Sequence, residues 1–120
     1  MCIRDRPTLS ALGAGQYDQE RYTVMSYSIV GGAGGGRAAT PMPLDILAIQ
    51  HIYGANMAYR TGDDTYVAAL DGVMRTQWDA GGTDTIDASS IAHNLTLDLR
   101  PGTVMDLGNG TVLGLSLIHI

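Results

Sequence analysis

Phenylalanine is absent from this chain of 120 residues, and tryptophan occurs once, at Trp78. Glycine is abundant instead, with 16 residues. That balance excludes a dense helical bundle and implies many turns around a modest core. Hydrophobic content is an ordinary 45% for a globular chain. The single cysteine, Cys2, excludes an internal disulfide. Such a chain is either cytosolic or secreted and stabilised by metal. No apolar run reaches the ~18 residues of a membrane-spanning helix, and residues 1–6 lack the apolar stretch of a secretory signal. Basic residues are few: 7 Lys and Arg stand against 12 Asp and Glu, a net charge of −5. That excludes the electrostatic footprint of a nucleic-acid binder.

What is there is acidic and turn-rich. After residue 60, Asp63, Asp64, Asp71, Asp79, Asp84, Asp87, Asp98 and Asp106 stand among glycines. Carboxylates between flexible turns suit a hard cation better than an anionic partner. Residues 7–21 read as loop, and residues 22–30, rich in β-branched and aromatic side chains, as a short extended piece or tight turn. The glycine run at 31–36 is a flexible loop. It is not a phosphate cradle, because no Lys-Ser or Lys-Thr follows it.

One helix is well signalled, over residues 43–53. Thr40 is the candidate N-cap, and Pro43 suits the first turn, where its missing N–H is harmless. Asp45 complements the helix dipole. Leu44, Leu47, Ala48 and Ile52 share one face, broadened by Ile49, and Gly54 is a natural stop. Beyond Asn56 the texture changes to short strand-like runs between Gly/Asp turns, at 65–69, 73–78, 84–88, 94–99 and 103–107. Leu95, Leu97 and Leu99 alternate strictly with polar residues, as in a half-buried strand. The expected class is α+β, with a boundary near residues 56–60.

Two constellations carry chemistry. The first is Tyr22-Thr23-Val24-Met25-Ser26-Tyr27-Ser28, followed by the helix. The second joins Arg60-Thr61-Gly62-Asp63-Asp64 to Asp79-Ala80-Gly81-Gly82-Thr83-Asp84. There the Asp-x-Gly-x-x-Asp spacing places two carboxylates and a carbonyl around one loop, and glycines allow the backbone to turn its carbonyls inward. On the residues alone, the second constellation reads first as plain Asp/Gly turns without metal.

Both constellations resemble the serralysin-like zinc proteases, a metzincin group. The resemblance covers about residues 7–114. It implies that Met25 is the methionine of the Met-turn, a soft floor beneath the zinc ligands. Tyr27 would be the tyrosine that reaches zinc or donates to the oxyanion of the transition state. The histidines are His51, His93 and His119, and no His-Glu pair occurs. Their separation does not fit a zinc site on one helix. His51 reads as a helix-end residue and His93 as a solvated one. Zinc therefore belongs to the intact parent, and this chain alone is expected to be proteolytically inactive.

The resemblance also implies a calcium site, with carbonyls from Arg60 and Gly62 and with Asp79, Gly81 and Asp84 completing it. Asp64 stands where the family has threonine; a carbonyl ligand survives that change, and a carboxylate adds a further donor. Gly82 and Asp84 would begin a second calcium site. Trp78 is expected to pack beneath the site.

The domains expected are the end of a metzincin catalytic domain at 7–56, with the Met-turn and one helix, and the start of a calcium-binding β-roll or β-sandwich domain at 57–114. Residues 1–6 and 115–120 read as non-native tails. The parent implied is a secreted, extracellular, calcium-stabilised zinc metalloendopeptidase acting on protein substrates. The alternative is a non-enzymatic calcium-binding β-roll protein, such as an adhesin or toxin segment.

Overall fold

The computed structural model describes residues 9–28 and 36–115. Residues 1–6, residues 116–120 of the expected tail at 115–120 (His119 among them), and the glycine run apart from Gly36 lie outside the described residues. After a 3-10 turn at Gly15–Tyr17, the elements are β1 (Arg37–Ala38), α1 (Pro43–Tyr53), β2 (Thr65–Val67), β3 (Val73–Gln77), β4 (Thr85–Asp87), β5 (Val104–Gly108) and β6 (Thr111–Leu115). One sheet has the order β1-β3-β6-β5, and β2 pairs with β4 in a second. The mixed α+β class is as expected.

The helix occupies the residues its signals mark. Pro43 stands in the first turn, and Gly54, at φ 80°, ends α1 by donating its N–H to the Gln50 carbonyl. Its N-cap is Met42, not Thr40. The Thr40 hydroxyl is engaged elsewhere, accepting the Thr76 N–H at 2.8 Å. Asp45 does the capping instead, its carboxylate accepting the Met42 N–H at 2.9 Å. The same carboxylate accepts the Thr23 hydroxyl at 2.6 Å and the Val24 N–H at 2.9 Å. Asp45 thereby ties the segment around Met25 to the helix entrance.

The buried side of α1 differs from the expected stripe. Pro43 and Ile46 are buried, whereas Leu47 is 42% and Ile52 68% exposed. Pro43 is held over the sheet at Gly114, where an added Cβ would come within 3.2 Å of its ring. With the first turn anchored there and by Asp45, Ile46 turns inward and the broad apolar stripe outward.

The core lies on the four-stranded sheet, and methionine supplies part of the bulk that phenylalanine would. Met42, Met74 and Val112 form one cluster, joined by Ala38 and Val104. The other gathers Ala68, Met105, Leu107, Leu113 and Leu115, with Leu95, Leu97 and Ile86 packed against it. β6 is buried along its whole length, parallel to β3 and antiparallel to β5. Asn109 (φ 51°) and Gly110 (φ 72°) turn β5 into β6, as an Asn-Gly pair does in a tight hairpin.

One expectation is corrected here. No strand forms over 94–99. Leu95 and Leu97 do pack inward while Leu99 is exposed, but the backbone is engaged otherwise. The Asp98 N–H donates to the Met105 sulfur at 2.9 Å, and the Asp98 carbonyl accepts the Thr103 hydroxyl at 2.7 Å. Alternation reports which side is buried, whereas a strand also needs a neighbour in register. Leu115, the first residue of the expected tail at 115–120, is the buried end of β6. Its N–H donates to the Thr103 carbonyl at 2.9 Å, and its carbonyl accepts the Gly102 N–H at 3.0 Å.

The small sheet positions the site. β2 and β4 run parallel in the register Thr65↔Thr85, Tyr66↔Ile86 and Val67↔Asp87. Parallel pairing places the segments entering both strands, 60–64 and 79–84, at the same end.

Candidate metal centre

Backbone and carboxylate hydrogen bonds join the two loops. The Ala80 N–H points to the carbonyls of Tyr59 and Arg60, each at 3.2 Å. The Asp63 carboxylate accepts the Thr83 N–H at 2.8 Å, and the Asp84 carboxylate accepts the Asp64 N–H at 3.0 Å. The loops approach so closely at Gly82 that a Cβ there would stand 2.1 Å from the Gly62 carbonyl oxygen. Gly82 also adopts φ 121°, a conformation that side chains disfavour.

Three carboxylates converge on this junction. Oxygens of Asp64, Asp79 and Asp84 all lie within 4.8 Å of one another. Asp79 is the buried member, Asp64 is half-buried and Asp84 is exposed. Asp79 Oδ1 accepts the Gly81 N–H at 2.8 Å, and Oδ2 accepts the Tyr66 hydroxyl at 2.5 Å. Burial pushes the Asp79 carboxyl up, but the Tyr66 hydroxyl, the Gly81 amide and the Arg60 charge outweigh it and hold the group below the usual carboxylate range. Burial and the Asp79 bond push the Tyr66 phenol up to about 12. The Arg60 guanidinium stacks over the rings of Tyr66 and Tyr59, at 5.1 and 5.6 Å from their centroids.

The expected residues therefore come together, in different capacities. Asp64, Asp79 and Asp84 meet through their carboxylates. Arg60 and Gly62 meet the second loop through their carbonyls, and Gly81 through its N–H to Asp79. The Asp64 carbonyl accepts the Thr85 N–H at 2.8 Å, so its carboxylate is what joins the cluster. Three ionised groups at this spacing repel one another. A hard cation that takes about six to eight oxygens from carboxylates and carbonyls fits such a donor set. Trp78 stacks on Tyr59, with centroids 5.4 Å apart and planes inclined by 26°. Both rings line a cleft of about 730 Å³ beside α1.

The first constellation carries no second metal centre of this kind. Met25 is 67% and Tyr27 97% exposed. The Met25 N–H donates to the Thr23 hydroxyl at 3.1 Å, within the turn that Asp45 holds. His51 is exposed at the end of α1, and the His93 ring lies 3.2 Å from the Leu107 carbonyl. Among the described residues, neither histidine belongs to a group of potential metal ligands.

Sequence reasoning missed Tyr66. Its signal was present but quiet: the middle residue of a three-residue strand, turned opposite to Thr65 and Val67. It also missed the joint role of Thr23 and Asp45, whose partners lie 22 residues apart.

No helix among the described residues is long and apolar enough to cross a membrane. Comparison with known proteins identifies relatives. Serralysin C of Dickeya chrysanthemi is 36% identical over 108 residues, covering 76% of this chain and 23% of the relative. Serralysin of Proteus mirabilis is 37% identical over 108 residues, with 76% and 22% covered. Metalloprotease AprA of Pseudomonas entomophila (strain L48) is 32% identical over 112 residues, with 76% and 23% covered. The chain spans about a quarter of the length of these relatives. Residues 44–117, from the first turn of α1 past the end of β6, match the family described as Peptidase M10 serralysin C terminal, and the chain belongs to that family.

Proposed function

We propose that this chain is the part of a secreted zinc metalloendopeptidase in which the end of the catalytic domain, residues 7–56, meets the start of a calcium-binding β domain, residues 57–114. Its own role is to bind calcium at that junction. The observation that carries this reading is the convergence of Asp64, Asp79 and Asp84 within 4.8 Å, on two loops already joined by backbone hydrogen bonds. Their carboxylates would hold the ion with carbonyls of Arg60, Gly62 and Gly81. Gly82 and Asp84 would begin a second site. The cation supplies the positive charge that relieves repulsion among the carboxylates. The loops supply the rest: Gly82 permits the close approach, and the β2–β4 pairing holds both arms at one end.

In the intact protease, zinc would activate water for attack on protein substrates outside the cell. Met25 would lie beneath that metal, and Tyr27 would serve as zinc ligand or oxyanion donor. The chain alone, with no His-Glu pair, is proteolytically inactive. The names of the relatives, serralysin and metalloprotease AprA, favour the protease over a non-enzymatic adhesin or toxin segment.

Calcium titration of the chain, followed by Trp78 fluorescence and thermal melting, tests the binding role. Calcium at about a hundredfold over Kd should stabilise the fold by about 2.7 kcal/mol. Asp79→Ala and Asp84→Ala should each abolish the shift. An unmodified chain unmoved by millimolar calcium would count against the site. For the protease, the gene upstream of the Pro7 codon should encode His-Glu-x-x-His, and its absence there would overturn that part.

A further inference from the structure

We infer that Tyr66 sets the calcium affinity of this centre as a positioning residue, by fixing the Asp79 carboxylate through a buried hydrogen bond. The inference rests on the reading of Asp64, Asp79 and Asp84 as calcium ligands, and it adds a residue that is not a ligand itself. Of the three carboxylates, Asp79 alone is buried, and both of its oxygens are engaged, Oδ1 by the Gly81 N–H and Oδ2 by the Tyr66 hydroxyl. Two bonds on two oxygens fix the rotation of the carboxylate plane. Each oxygen retains a lone pair for a cation. Asp84, by contrast, is exposed and accepts the Asp64 N–H.

Tyr66 is itself held on two sides. Its backbone stands opposite Ile86 in the β2–β4 ladder, the residue is 7% exposed, and the Arg60 guanidinium lies over its ring, 5.1 Å from the centroid. A phenol held this firmly transmits the position of the small sheet to the ligand. A carboxylate already oriented loses less freedom when the ion arrives. Groups that hold a ligand in this way change metal affinity by about 10–100-fold when removed.

Tyr66→Phe removes the hydroxyl and keeps the buried ring. Isothermal titration of the whole chain with calcium chloride should give a Kd about tenfold weaker than that of the unmodified chain. A role in packing alone would move the calcium-free melting temperature and leave the Kd unchanged; an unchanged Kd overturns the inference. A second measurement covers a variant that does not fold. In the unmodified chain, the NMR signal of the Tyr66 hydroxyl proton should persist and shift when calcium is added, and a signal that does not respond overturns the inference. Absence of calcium binding by the unmodified chain is a separate outcome, which overturns the calcium reading and any role of Tyr66 towards the ion.

Discussion

Asp98 and Arg100 form an exposed ion pair two residues apart, with the Arg100 side chain bonded to both Asp98 carboxylate oxygens. The Arg100 side chain and backbone hold the Asp98 carboxyl down at about 2. The folded value lies below that of an unfolded chain, about 3.9. Its stabilising contribution is therefore complete above about pH 4 and is lost as pH falls through about 2. Carboxyl NMR titration should find the Asp98 midpoint near 2, and Arg100→Ala should return it towards about 3.9. Global stability at neutral pH should change little, because solvent screens an exposed pair. At this scale the ligand candidates were legible, because Asp79, Gly81 and Asp84 stand close together in one loop. Tyr66 was not: its partner Asp79 lies 13 residues away, and nothing in Thr65-Tyr66-Val67 names that partner.

Among the elements, α1 shows most directly what local signals can specify. Pro43 and Gly54 bound it, and both act within a turn of the residues they stop. The choice of N-cap was not local, since Thr40 is taken by Thr76 and Asp45 serves three partners. Asp45→Ala should lower stability by about 1–3 kcal/mol, measured by thermal melting. It should also speed hydrogen exchange at the Val24 and Met42 amides, the two backbone donors it loses. Strands were less legible for the same physical reason. Residues 94–99 carry the pattern of a strand and lack its ladder. Residues 111–115 form the most buried strand yet show little polar alternation in Thr-Val-Leu-Gly-Leu. Gly82→Ala should be destabilising well beyond an ordinary helix or loop substitution. The new Cβ would meet backbone at 2.1 Å, so the variant should melt earlier and lose calcium binding together.

The whole molecule leaves much apolar surface open. Leu47, Ile49, Ile52 and Tyr53 of α1 are exposed, and Met57 follows them. Open apolar area of this kind favours association. Sedimentation should show concentration-dependent self-association, and Ile49→Lys with Ile52→Lys should reduce it without lowering the melting temperature. The α+β class and the helix were legible because composition and local punctuation report them. The sheet order β1-β3-β6-β5 was not, because it joins residues 37–38 to 73–77 and 111–115 across long separations. That order has a consequence for synthesis on the ribosome. β6 is paired on both edges and is the last of these strands to be translated. A chain stalled before Thr111 would hold the β1–β3 pair and β5 without the strand that joins them. β1 and β3 can pair as soon as both are made, but β5 joins them only through β6, so the sheet is completed last, at Thr111–Leu115.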